Sequence, residues 1–224
     1  MGDQKRLWRA AAVFGILTIA TALWFLTRGM PTCGAAPLAS AMLDFEMATT
    51  RAQFAAVLDC APRLAELDYQ NIVDLLLFMW VYTGLLTAFM LAAGVARGVA
   101  LSLAILMLGG DFIETAILRQ IAAGWPQLDA TLVSVLAVAV RLKFAAIGLA
   151  MVAGAAKLWR VDGWGAKLTA VLVVVGGIAS VAIIPPEARG PASQILVVGW
   201  LAIVIYAAIN AFRSPRPAPS SAGA

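Results

Sequence analysis

Four ionisable residues stand inside otherwise apolar stretches of this 224-residue chain: Asp111 and Glu114 in one, Arg141 and Lys143 in the next. A fifth, Asp74, opens another apolar stretch. Asp111 and Glu114 are three apart, so on a helix they share one face. Two carboxylates so placed can relay a proton or hold a cation, and an arginine beside them can neutralise one. Ser134, Arg141 and Gly148 recur at seven-residue spacing and share a face, with Ala145 beside them. Small residues there let another helix come close. The reading is that Arg141 reaches Asp111, with Glu114 alongside. Lys143 lies about 200° around the helix from Arg141, so it cannot share that partner easily. It faces a second cavity, or the stretch is placed wrongly. A central intramembrane charge costs about 2.5–3.5 kcal/mol on an insertion scale, so these groups should be paired or watered. A satisfied network that fixes helix register and a functional pathway both remain open.

Other chemistry is missing from the alphabet. The chain has no histidine. That removes His-ligated haem, most zinc and copper sites, and Ser-His or Cys-His nucleophiles. Gly109-Gly110-Asp111 has part of the Gly-x-Gly-Asp signature of intramembrane aspartyl proteases. Leu108 breaks it, and no Tyr-Asp partner lies in a span. No phosphate loop or nucleotide fingerprint is present. An enzyme acting on lipid is disfavoured, and no cofactor or metal is expected.

The elements that must carry these residues follow from composition. Hydrophobic residues make up 62% of the chain and charged ones 12%, against about 25% charged in a soluble domain. A span needs about 20 apolar residues. Six segments qualify, at about Trp8–Leu26, Ile72–Val95, Val99–Ile121, Leu128–Ala155, Leu168–Ile184 and Ile195–Phe212. Runs such as LTAVLVVVGGIASVAII exclude a β-barrel, whose strands alternate. The expected fold is therefore an all-α membrane protein, one six-helix bundle over residues 1–212 with a disordered tail over 213–224. Trp80 and Trp200 fall near mid-span and should pack inside the bundle. Span 1 is read as retained rather than as a cleaved signal peptide, because no convincing small-x-small site follows it.

Basic residues sort by side. With the N-terminus in the cytoplasm, Lys5, Arg6, Arg9, Arg97, Lys157, Arg160, Lys167, Arg213 and Arg216 lie inside. Arg28, Arg51, Arg63, Arg119 and Arg189 lie outside. The excess favours both termini inside, in the inner membrane of a bacterium. The net charge of +4 is a topology signal and not a nucleic-acid one. The expected partners are the bilayer and another membrane protein or a second copy.

The one large loop, about Thr27 to Gln70, is outer. Leu38, Met42 and Phe45 fall at helical spacing within Pro37 to Ala48. Thr50 can cap a second helix, Arg51 to Asp59, with Phe54, Val57 and Leu58 on one side, and Pro62 suits the first turn of a third. Two short amphipathic helices on the membrane surface or capping the bundle are expected. Both cysteines, Cys33 and Cys60, fall in this loop. A bond between them would contribute roughly 3–4 kcal/mol in the chain-entropy model; two independent small core residues are the other reading.

The segments LDFEMATTRAQF, DYQNIVDLLLFMWVY and GGDFIETAIL resemble a pattern of uncharacterised bacterial integral membrane proteins. That pattern has LxFE after span 1, an acidic residue in an aromatic-rich span 2 and D-x-x-E in span 3. The resemblance covers roughly the first half of the chain and puts Phe45, Glu46, Asp74, Asp111 and Glu114 among the pattern residues. It implies no activity. Asp74, near the outer end of span 2, reads as interfacial. The function expected is a non-enzymatic structural or accessory protein, binding lipid or a partner; the alternative is a small proton-coupled solute or ion transporter using the buried charges.

Overall fold

The computed structural model describes residues 2–28, 31, 41–185 and 187–212. The described chain is all-helical, and six helices are long and apolar enough to cross a membrane. It is a multi-pass membrane protein. The helices are α1 (Gly2–Arg28), α2 (Ala41–Glu46), α3 (Arg51–Leu58), α4 (Ala61–Val73), α5 (Met79–Ala93), α6 (Arg97–Gly124), α7 (Ala130–Leu158), α8 (Trp164–Ala182) and α9 (Arg189–Phe212). A π-helical turn, Asp74–Phe78, joins α4 to α5 as one continuous rod. The spanning helices close a ring in the order α1, α5, α6, α7, α8, α9, with α5 also packed on α7. Trp8 on α1 meets Tyr206 on α9 edge-on, with ring centroids 5.4 Å apart, so the two terminal helices lie side by side.

Helix lengths show where the apolar slab sits. α8 has 19 residues, about 28 Å at 1.5 Å per residue, which matches a hydrocarbon core of about 30 Å. α6 and α7 have 28 and 29 residues, about 42 Å or more. Their surplus projects past one end of α8, and α2, α3 and α4 collect around it. Thr50 caps α3 with a reciprocal box: its hydroxyl accepts from the Gln53 backbone N–H at 3.3 Å, and Gln53 Oε1 accepts from the Thr50 N–H at 3.1 Å. Pro62 stands in the first turn of α4, where its missing N–H costs nothing. Phe45 and Phe54 are fully buried and meet edge-on, so the short helices cap the bundle with a small core of their own. Polar ties hold the cap down: Trp125 Nε1 to Asp59 at 2.8 Å, Arg119 to Asp68 at 3.0 Å and Arg28 to Glu66 at 2.6 Å. Buried Arg63 donates to the Ala56 carbonyl at 2.6 Å and to that of Pro31 at 3.2 Å.

Small residues set the helix spacing. A Cβ at Gly148 would stand 2.7 Å from both the Gly177 carbonyl and Ser180 Oγ, so α7 and α8 touch backbone to backbone. Ser180 Oγ donates across that contact to the Phe144 carbonyl at 3.0 Å. Gly110 plays the same part between α6 and α7, where a Cβ would meet the Ala139 carbonyl and Lys143 Cβ at 3.1 Å. Gly94 ends α5 in the left-handed conformation, with φ 89°, which turns the chain into α6.

One expectation fails here. Trp80 faces outward, 54% exposed, its indole donating at 3.0 Å to the Leu75 carbonyl. The cause is the π turn, in which Met79 N–H bonds back to the Asp74 carbonyl; the wider turn rephases the helix and turns Trp80 outward. The start of the first loop helix, with Leu38, and the tail after Phe212 lie outside the described residues.

The close approach gives a test. Gly148→Val should lower thermal stability in detergent by about 1–3 kcal/mol through overpacking. Gly98→Ala, where a Cβ meets nothing within 4 Å, should leave it within about 0.5 kcal/mol.

Candidate functional site

The buried charges meet where α2 of the cap presses on α6 and α7. Gly110 brings the α7 backbone against α6 at Lys143, so the lysine enters between the helices. Its Nζ donates to Glu114 Oε1 at 2.7 Å, to Asp111 Oδ1 at 3.2 Å and to Glu46 Oε2 at 3.4 Å. Glu114 straddles the ammonium: Oε2 is also 2.7 Å away, yet it makes no hydrogen bond of good angle. Asp111 Oδ2 accepts from the Tyr82 hydroxyl at 2.7 Å. Asp74 Oδ2 accepts from Thr115 Oγ1 at 3.4 Å. Each of these side chains belongs to a residue at most 8% exposed.

Each partner is held from behind. The Tyr82 ring lies nearly parallel to Trp200 of α9, 6.0 Å between centroids and 9° between planes. Phe78 packs on both rings. The π turn begins at Asp74 and sends its side chain inward. Lys143 Nζ also sits 4.9 Å from the centre of the Phe144 ring. Trp200 Nε1, Thr83 Oγ1 and Thr87 Oγ1 are buried with no hydrogen-bond partner among the described residues.

Charge does not balance locally. Four carboxyl groups (Glu46, Asp74, Asp111 and Glu114) face one ammonium. With every acid ionised, three negative charges would be left over. Removing one such charge from water costs several kcal/mol, so protons occupy part of the cluster. Among the described residues no group of His, Cys, Asp and Glu is arranged to hold a metal ion; the point on which Glu46, Asp111 and Glu114 converge is filled by the lysine nitrogen.

The placement departs from the expectation in its choice of cation. Arg141 does not reach Asp111. It is exposed, and its Nη1 donates to the Ala137 carbonyl of its own helix at 3.3 Å. Its face, shared with Gly148, packs on α8 and not on α6. Because α8 stops at Ala182, Arg141 emerges past its end. Lys143, the residue left without a partner by the sequence reading, takes the central position. Asp74 is buried within the protein. Glu46 and Tyr82 were missed as site members. The signal for Glu46 was its place beside the buried Phe45 in a short cap helix; Tyr82 had no signal without knowledge of the π turn. Cys60 is buried at the start of α4, while Cys33 lies outside the described residues.

Set against protein-family models, curated proteins and solved structures, the chain matches none.

Glu46 belongs to the cap and not to a spanning helix. Burial pushes its carboxyl above its ordinary value of 4.5, with the Lys143 charge pulling the other way. A carboxyl raised on folding contributes stability below its ordinary value and loses it as pH climbs through the raised one. Thermal stability in detergent should therefore fall as pH rises from about 4.5. Glu46→Gln should flatten that slope, as a pH series of melting curves would show.

Proposed function

We propose that this chain is a non-enzymatic accessory protein of a bacterial inner membrane, with both termini in the cytoplasm and the cap outside. Its acid–lysine cluster is a proton-holding lock between cap and bundle, and its capped face is the working surface for lipid or a partner. One observation carries the reading: all three hydrogen bonds the Lys143 ammonium can donate go to carboxylates of the protein itself. A transport site needs a cation-sized place that empties and refills; this one is filled by a tethered side chain. The surplus of Lys and Arg at the uncapped end supports the orientation. The oxidising side then receives Cys33 and Cys60, and the reading keeps a disulfide between them.

A proton-coupled transporter is the second reading. The surplus of acid over base in the cluster favours it, as do the hydroxyls of Thr83 and Thr87 on α5, which have no hydrogen-bond partner among the described residues. The two readings part on one lysine. Lys143→Met leaves buried carboxylates without their counter-charge and should cost about 3–5 kcal/mol. Adding Asp111→Asn and Glu114→Gln should restore much of that loss, and proteoliposomes of wild type under an imposed pH gradient should leak protons no faster than empty ones. Proton flux abolished by Lys143→Met in a protein that stays folded would instead establish the transporter.

A further inference from the structure

Beside the lock lies a cavity of about 140 Å³, bounded by Glu46 and Gln53 of the cap and by Arg141 and Arg189 of the bundle. It sits where α8 has just ended and α9 begins, between the cap and α7. By helix length this is the level at which the hydrocarbon slab gives way to headgroups. Arg141 is about 25 Å from the far end of α7 at 1.5 Å per residue, close to one face of a core about 30 Å thick.

The charges of the lining do not cancel. Glu46 is engaged by Lys143. Arg189, buried, is engaged by Asp44 and donates to the Ile183 and Ile184 carbonyls at 3.4 Å. Arg141 has no acidic partner among the described residues, only a carbonyl of its own helix. Gln53 Oε1 is taken up by the backbone N–H groups of Thr49 and Thr50, which leaves its amide N–H₂ to donate. Thr49 adds one more polar group, and the remaining wall is apolar, from Met47, Ala48, Ala137, Val140 and Ile184. Val138 and Leu142 of α7 and Val181 of α8 are exposed.

We propose that this cavity binds the phosphodiester headgroup of an anionic lipid from the leaflet on the capped side. Arg141 and the Gln53 amide hold the phosphate oxygens, and the acyl chains leave over the apolar faces of α7 and α8. An arginine fork suits a phosphate in just this way. Depth and the apolar wall favour a lipid over a soluble phosphate, which would leave that wall uncovered. This site names the lipid surface left general in the accessory reading and rests on it. Arg141 lies apart from the lysine lock, so the two can fail separately.

The test uses the full chain in detergent, titrated with phosphatidylglycerol, phosphatidylcholine or inorganic phosphate, and follows the ligand-induced rise in melting temperature. Wild type should respond to phosphatidylglycerol at least fivefold more tightly than to phosphatidylcholine. Arg141→Gln, compared with its own lipid-free state, should lose that preference. Arg141→Lys should keep part of it, which separates lost charge from lost packing. Arg97→Gln, at the uncapped end, should keep all of it. Equal protection by the two lipids in wild type, or a full response in Arg141→Gln, would overturn the site. Protection by inorganic phosphate as strong as by phosphatidylglycerol would overturn the lipid and leave a soluble phosphate in its place. Loss of the response in Arg97→Gln as well would reduce the effect to general surface charge and also overturn it.

Discussion

The fold turns on one ammonium ion held away from water. Lys143 is buried, yet its nitrogen is met by carboxylates from two elements far apart in sequence, Glu46 in the cap and Asp111 and Glu114 in α6. A lysine placed so deep persists only where its charge is matched. The match fixes three things together: the rotation of α7 against α6, the height of α2 on the bundle and the protonation of the surrounding acids. Replacing such a network with apolar residues can be neutral or stabilising. Its presence therefore speaks for registry of the cap, more than for raw stability.

A second constraint is the mismatch of helix lengths. α8 is a bare span of 19 residues, while α6 and α7 run about ten residues longer. The surplus needs cover for its inward-facing apolar side chains, and the loop after α1 supplies it. Phe45 and Phe54 form the core of that cover. The same step in length creates the ledge on which Arg141 and Arg189 sit. Cap, lock and ledge are thus consequences of one geometric fact, that neighbouring helices end at different heights.

The six spans were legible because apolar length alone decides them; their ends were less so, and the second begins at Ala61, well before the Ile72 read from sequence, because polar α4 runs into it without a break. The capping box at Thr50 and Pro62 in the first turn of α4 were legible too, as local chemistry. The pairing of charges was not. Helical spacing shows which residues share a face, but not which neighbour that face meets. Arg141 and Gly148 do share a face, and it meets α8. The π turn at Asp74–Phe78 was equally hidden, since no residue type announces it; it moved Trp80 out to the surface. Glu46 stayed outside the expected site because its place beside Phe45 in a short cap helix hints at an inward face but not at which spans that face will meet.

The most direct measurement is hydrogen exchange, resolved by peptide, on wild type and Lys143→Met in detergent. If the buried lysine holds the cap in place, residues 41–58 lose protection in the variant while α8 and α9 keep theirs. If α2 and α3 stay as protected as in wild type, the lysine does not lock the cap, and the account fails.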